Sequence, residues 1–300
     1  MRRNFADLIL GVEPYYKTEL GYAYLGDAYN LCGKLPDESV NLIMTSPPFA
    51  LLTKKRYGNK RADRYWAWFS DFARQFERIL TKKGSLVIHM GGGWNQGLPT
   101  RTLYNFKLLL SLADRFCVAQ EFYWYNPARL PSPAQWVTIK RIRVKDAVDP
   151  IWWFSKDPYP KASNRRVLVD YSPSMRELLA KGYNAGRRPS GHNISKTGFS
   201  REQQGAIPPN LLPYSNTEST SRYMLKLKEA HLAPHPARYP AQIPKFFIEF
   251  LTTKDDLVLD PFGGSNTTGA VAEALGRQWM CFEIVEEYLR GSMFRFDSLK

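Results

Sequence analysis

Short apolar runs alternate with amphipathic stretches toward both ends of this chain, and their order predicts a layered α/β protein. Ser39 to Met44 (SVNLIM) is an apolar run with Val and Ile, closed by Pro47 and Pro48, and reads as a buried strand that ends in a loop. From Tyr65 to Leu80 the residues Trp66, Phe69, Phe72, Ala73, Phe76 and Leu80 recur at helical spacing. Lys82-Lys83-Gly84 then ends the helix, and Ser85 to Met90 (SLVIHM) returns to strand. Phe122–Trp124 and Ile151–Phe154 (IWWF) read as further strands. Later, Asp256 to Asp260 (DLVLD) is a strand, a Gly-rich loop follows, Thr267 to Leu275 is helical, and Trp279 to Glu283 (WMCFE) is strand again. Strand, helix and strand in succession predict an open, doubly wound and mostly parallel sheet.

The pattern fades in the middle of the chain. The stretch 160–233 is rich in Ser, Asn, Gly, Pro and Arg, and apart from Ser174 to Lys181 shows little periodicity. Tyr171, Tyr183, Phe199, Leu211, Leu212 and Tyr214 give it apolar anchors, so an irregular but packed insert is expected. The chain thus divides into 1–159, the insert 160–233, and 234–300, with no internal repeats.

Composition narrows the function. At 300 residues, 44% hydrophobic and 23% charged, the chain can bury a sizeable core, and no apolar run approaches the ~18 residues of a membrane span. Met1 to Leu10 carries Arg2, Arg3 and Asp7 without a longer apolar stretch, so it does not read as a secretion signal and a cytoplasmic protein is expected. Cys32, Cys117 and Cys281 lie far apart with no CxxC pair, which argues against a disulfide framework and a zinc site. A formal net charge of +14 makes a polyanion, and nucleic acid first, the expected partner.

Two loops carry chemistry. Thr45-Ser46-Pro47-Pro48-Phe49 follows a strand, where ligands bind in open parallel sheets. Proline donates no backbone hydrogen bond, so the carbonyls of Ser46 and Pro47 are left to accept from an amino group, and Phe49 can stack on a base. The second loop, Asp260-Pro261-Phe262-Gly263-Gly264-Ser265-Asn266-Thr267-Thr268-Gly269, links a strand to a helix start, where glycines admit a ligand close to the backbone and free N–H groups suit a carboxylate. It matches neither GxGxxG nor GxxxxGK[ST], which disfavours a dehydrogenase and a triphosphatase. Glu283, ending the next strand, is placed to hold two ribose hydroxyls.

TSPPF early, DPFGGSNTTG late and CFEI at Glu283 together resemble the circularly permuted beta class of amino-group DNA methyltransferases, in which the catalytic motif precedes the cofactor motif. His235-Pro236-Ala237-Arg238-Tyr239-Pro240 with the apolar helix Ile243 to Leu251, and Gly26-Asp27-Ala28 ahead of the first strand, resemble two more motifs of the class. Arg187-Arg188-Pro189-Ser190-Gly191-His192-Asn193-Ile194-Ser195 and Gly205-Ala206-Ile207-Pro208-Pro209-Asn210 are similar to the middle of the PvuII-type cytosine-N4 enzymes. The resemblance spans most of the chain. It implies a Rossmann-like methyltransferase fold with S-adenosylmethionine as donor. Asp260, Phe262, Gly263 and Gly264 would lie by the donor's methionine end, Ser265, Asn266 and Thr267 at its carboxylate, Glu283 at its ribose and Asp27 near its adenine. Ser46, Pro47, Pro48 and Phe49 would form the catalytic set.

The implied substrate is a base flipped out of double-stranded DNA. Lys54, Lys55, Arg56, Lys60, Arg61 and Arg64 could clamp phosphates, with Lys140, Arg141, Arg143 and Lys145 as a second basic group. Arg187, Arg188, His192, Asn193 and Lys196 mix phosphate binders with readers of base edges, which makes the insert the expected target-recognition region. His192 and His235 lack partners at ligand spacing, so neither a metal nor a titrating base is assigned. Adenine enzymes of the class usually have Asp where this chain has Ser46, so cytosine N4 is expected ahead of adenine N6. A restriction endonuclease acting on the same site is an expected companion; a non-catalytic DNA-binding relative and an RNA methyltransferase are the rival readings.

Overall fold

A computed structural model describes residues 11–51, 55–56, 58–198 and 203–297. In chain order the elements are β1 (Tyr16–Lys17), β2 (Gly21–Leu25), α1 (Ala28–Gly33), β3 (Val40–Thr45), α2 (Tyr65–Ile79), β4 (Leu80–His89), α3 (Tyr104–Ala113), β5 (Cys117–Tyr125), β6 (Val148–Ser155), α4 (Pro173–Lys181), β7 (Gly186–Arg187), β8 (Asn193–Ile194), β9 (Leu211–Pro213), α5 (Arg222–Glu229), α6 (Gln242–Leu251), β10 (Leu257–Asp260), α7 (Thr267–Ala274), β11 (Gln278–Glu283) and α8 (Glu286–Ser292). No helix among the described residues is long and apolar enough to cross a membrane.

The chain forms two compact units. The larger joins the residues up to Ala162 with those from Asn210 onward. Its nine strands run in the order β1-β2-β11-β10-β3-β4-β6-β5-β9. β2, β11, β10, β3 and β4 are mutually parallel, as the alternating strands and helices require. Of the strands read from the sequence, β6 alone departs from the expected direction: it runs antiparallel to β4 on one side and to β5 on the other, so β5 again points the same way as β4. The apolar runs of these strands announce burial but carry no information on direction.

Other boundaries shift for local reasons. β4 begins at Leu80 rather than Ser85, because Leu80 already pairs with Val40 before an irregularity displaces the register to Leu42 opposite Ser85. On α2, Tyr65, Phe69, Phe72, Ala73, Phe76 and Ile79 are buried at helical spacing, whereas Trp66 is 46% exposed and belongs to the outer face. β2 was not expected, and it places Asp27 after a strand rather than before the first one. A Cβ at Gly21 would lie 2.2 Å from the Trp279 ring, so glycine is what lets β2 lie against β11 at that point.

The smaller unit is 163–209, shorter than the expected insert 160–233. Leu211, Leu212 and Tyr214, expected as its anchors, lie instead in the larger unit, where β9 pairs with β5 and Trp124 Nε1 donates to the Tyr214 carbonyl at 2.7 Å. Phe199 lies outside the described residues. Within the smaller unit, Val169 bridges Ala206, the Tyr171 hydroxyl accepts from Gln203 N at 2.7 Å, and β7 pairs with β8 as a short hairpin.

Candidate active site

From β3 the chain winds through β4 toward one edge of the sheet; from β10 it winds through β11 toward the other. The gap between β3 and β10 is therefore the switch point at which ligands bind in such sheets. It brings together two loops distant in sequence. Thr45 Oγ1 donates to Asp260 Oδ1 at 2.8 Å across 215 positions. A cavity of about 530 Å³ opens there, within the range of roughly 300–1,000 Å³ usual for small-ligand sites. All four of Ser46, Pro47, Pro48 and Phe49 line it, as do Asp27, Asp260, Phe262, Gly263, Gly264, Ser265, Thr267 and Glu283.

On the β3 side, Ser46 is not alone. Its Oγ lies 3.0 Å from His89 Nδ1, and His89 Nε2 lies 3.4 Å from Asp149 Oδ2. Arg129 donates to both oxygens of Asp149, with the Oδ1 contact at 3.0 Å. Burial pushes the Asp149 carboxyl up, but the hydrogen bonds and charges of His89 and Arg129 prevail and hold it well below the usual carboxylate range. An ionised Asp149 accepts from Nε2–H, which leaves Nδ1 as the lone-pair nitrogen facing the Ser46 hydroxyl. Sequence reading assigned no titrating base and missed His89, Arg129 and Asp149, since nothing local marks residues on separate strands and loops as partners. Phe49 lies edge-on to the His89 ring at 5.5 Å, and a Cβ on Gly91 would meet the Phe49 ring at 2.4 Å, so the glycine run after β4 makes room for the aromatic wall.

On the β10 side the expected roles divide. The Asp260 carboxylate, 2% exposed, accepts from Thr45 Oγ1, Phe262 N, Tyr239 OH and Thr268 Oγ1. Its lone pairs are filled, so it knots the two loops rather than reaching a ligand, and burial raises its pKa against those hydrogen bonds. Asn266, expected at the donor's carboxylate, is absent from the cavity wall. It adopts φ 49° and caps α7 by accepting from Gly269 N at 3.0 Å, while its Nδ2 donates to Tyr16 OH at 2.8 Å. Ser265 does line the cavity, and Arg295 donates to its hydroxyl at 3.1 Å and its carbonyl at 2.7 Å. Phe262 rests against Phe72 and Trp68 at 5.1 and 6.0 Å. His235 closes this side against Gly264, and burial lowers its pKa to about 4, so the ring is neutral near pH 7.

The residues present fit a nucleoside-bearing donor. Glu283 Oε2 accepts from Gly264 N and Oε1 from Val285 N, both at 2.8 Å, so backbone donors hold the carboxylate at the cavity wall, where it can accept from ribose hydroxyls. Burial pushes its carboxyl up, against these backbone hydrogen bonds. Gly263 packs directly on β11, since a Cβ there would lie 2.0 Å from Cys281 Sγ. Gly263→Ala is accordingly expected to lower stability by about 1–3 kcal/mol and donor affinity at least tenfold. Cys281→Ala in the same chain should restore both in equilibrium binding and melting experiments. A double variant as weak as the single one would show that the loop is sensitive for another reason.

The basic residues separate likewise. Lys54 lies outside the described residues. Arg56 Nη1 is 2.6 Å from Glu287 Oε2, and Arg61 pairs with Asp63 at 3.4 Å, so both charges are partly compensated; Lys55 is half-buried and Lys60 lines the cavity. Arg143 donates to the Pro99 carbonyl and stacks over Trp94 at 4.3 Å, which makes it a loop support. In the smaller unit Arg187, Arg188, His192, Asn193 and Lys196 are all exposed on or beside the β7–β8 hairpin. Among the described residues no group of His, Cys, Asp and Glu is placed to hold a metal.

Residues 40–294 match the model of a family described as DNA methylase. The chain is 48% identical to the type II methyltransferase M.PvuII of Proteus hauseri, over 96% of this chain and 87% of that one. It is 26% identical to the DNA adenine methyltransferase YhdJ of Escherichia coli (strain K12), over 96% of this chain and 86% of that one. The solved structure titled PvuII DNA methyltransferase (cytosine-N4-specific) superposes with a TM-score of 0.78 at 43% identity, covering 95% of this chain and 89% of that one. With a switch-point cavity that joins the Ser46 loop to the Gly263 loop, and a family match across most of its length, the chain belongs to the DNA methylase family.

Proposed function

We propose that this protein transfers a methyl group from S-adenosylmethionine to the N4 amino group of a cytosine flipped out of duplex DNA. The observation that carries the reading is the line Ser46–His89–Asp149–Arg129 opening on the same cavity as Gly263, Gly264 and Glu283. Support for cytosine comes from the relative at 48% identity and from the solved structure whose title names cytosine N4. The adenine enzyme at 26% identity keeps adenine N6 as the second reading.

When bound, the donor supplies an electrophilic methyl group on sulfur. Glu283 holds its ribose, and the start of α7 with Ser265 and Thr267 receives its carboxylate. The carbonyls of Ser46 and Pro47 accept no hydrogen bond from the described residues and are free for the amino hydrogens of the base, which turns the nitrogen lone pair toward the methyl group. Phe49 stacks on the ring. As N4 gains the methyl group it must lose a proton. Ser46 Oγ takes that proton while its own passes to His89 Nδ1, and Asp149 stabilises the resulting imidazolium.

The exposed hairpin at Arg187, Arg188, His192 and Asn193, with Lys196, contacts the duplex in this reading, and Lys60 lies at the flipped base. Lys55, Arg56 and Arg61 supply phosphate contacts if their present pairings open. A cytoplasmic location and a restriction endonuclease sharing the site belong to the same proposal. The test is incubation with duplex DNA and isotopically labelled S-adenosylmethionine, followed by digestion and mass spectrometry of the nucleosides. Labelled N4-methylcytosine is expected. N6-methyladenine would replace the base assignment, and DNA nucleosides without label would overturn the substrate.

A further inference from the structure

Asn126 follows β5 and lines the same cavity, yet nothing in the motifs points to it. It is 7% exposed, so its amide is a nearly buried polar group. The Oδ1 atom accepts from Ala128 N at 3.1 Å and from Asn216 N at 3.3 Å. Two backbone donors fix which end of the amide is oxygen, because the flipped amide would set N–H against N–H. The Nδ2 group is thereby turned away from the backbone and has no partner among the described residues. It belongs to the cavity wall, where an acceptor on a bound molecule can meet it.

We propose that Asn126 identifies the flipped base by donating from Nδ2 to the cytosine ring nitrogen N3. This inference rests on the reading above that the target is cytosine. With N4 held at Ser46, N3 is the nearest acceptor on the base, and Asn126 shares the cavity with Ser46, His89 and Trp124. The His89 ring stands edge-on to both Phe49 and Trp124, at 5.5 and 5.3 Å, so the aromatic walls hold the base plane while the amide reads its edge. A pyrimidine protonated at N3, as thymine is, would place a hydrogen against the donor and be refused.

The experiment compares duplexes carrying cytosine or 3-deazacytosine, in which C–H replaces N3, at the target position. Each is assayed with the wild-type protein, Asn126→Ala and Asn126→Asp. The readout is the ratio of kcat/KM for cytosine over 3-deazacytosine within each protein, which cancels any loss of folded protein, and its change from protein to protein, which cancels the altered nucleophilicity of the analogue. The ratio should shrink tenfold or more in N126A. In N126D, which keeps the acceptor for Ala128 and Asn216 but no longer donates, it should shrink further or reverse. A ratio unchanged across the three proteins would overturn the proposal. Wild-type protein that yields N6-methyladenine or no product would remove the cytosine reading itself, and this inference with it.

Discussion

Asp149→Asn is expected to slow methyl transfer by about 10²- to 10⁴-fold while leaving donor affinity within a factor of a few. The Asn side chain keeps the shape of Asp149 but presents an N–H to one of its partners and loses the charge that faces Arg129. His89 can then no longer be held with its proton on Nε2, and Nδ1 ceases to be a dependable acceptor for Ser46. Arg129, with 28% of its side chain exposed, loses its counter-charge, so a stability loss of about 1–3 kcal/mol should accompany the kinetic one. The pH dependence has a definite sign. The folded-state pKa of Asp149 lies below its unfolded value of about 3.9, so its contribution is complete above that pH and vanishes as acid takes the carboxyl through its folded value. Wild type and variant should therefore converge in stability in strong acid. Single-turnover rates and denaturant titrations measure the two effects separately. A variant that is less stable but transfers methyl groups at the wild-type rate would leave Asp149 as a tie between β6 and Arg129 and end the proposed proton route.

Asp260→Ala should be more damaging to the fold. Four donors converge on this carboxylate: Thr45 from the end of β3, Thr268 from α7, Tyr239 from the segment before α6, and the Phe262 amide. Removing the acceptor orphans buried hydroxyls at about 1–3 kcal/mol each before relaxation, and because neighbours do not add, about 3–5 kcal/mol in all is expected. Donor binding and methyl transfer should fall together, since Thr45 adjoins Ser46 and Phe262 adjoins Gly263. Asp260→Asn should cost less. Its remaining oxygen still accepts, the hydroxyl partners can turn to accept from the new amide, and the burial that raises the Asp260 pKa no longer acts on a charge. Melting and donor titration read both variants. An Asp260→Ala protein with wild-type stability would show that the knot does not hold the two loops.

The two loops at the heart of the site were legible because each is local. Ser46-Pro47-Pro48-Phe49 and Phe262-Gly263-Gly264 owe their chemistry to neighbours in the chain: a missing proline N–H, a missing Cβ, a helix start. For the same reason the core strands β3, β10 and β11 and the helices α2 and α7 follow from periodicity. His89 and Asn126 show what is not local. Each reads as an ordinary polar residue beside a strand, and each gains its role only from partners 43 and 90 positions away respectively.

By itself, then, the sequence determined an α/β chain with two ligand-type loops after buried strands, because residue spacing and backbone chemistry act over a few residues, and the resemblance those loops carry implied a methyltransferase with its catalytic loop ahead of its donor loop. Only the tertiary structure decided that β6 runs antiparallel to β4 and β5, that Asp260 and Asn266 hold the loops together, and that His89, Asp149 and Arg129 stand behind Ser46. Those outcomes depend on which strands lie side by side and which buried polar atoms must find a partner, and both are settled by the closed packing of the whole sheet.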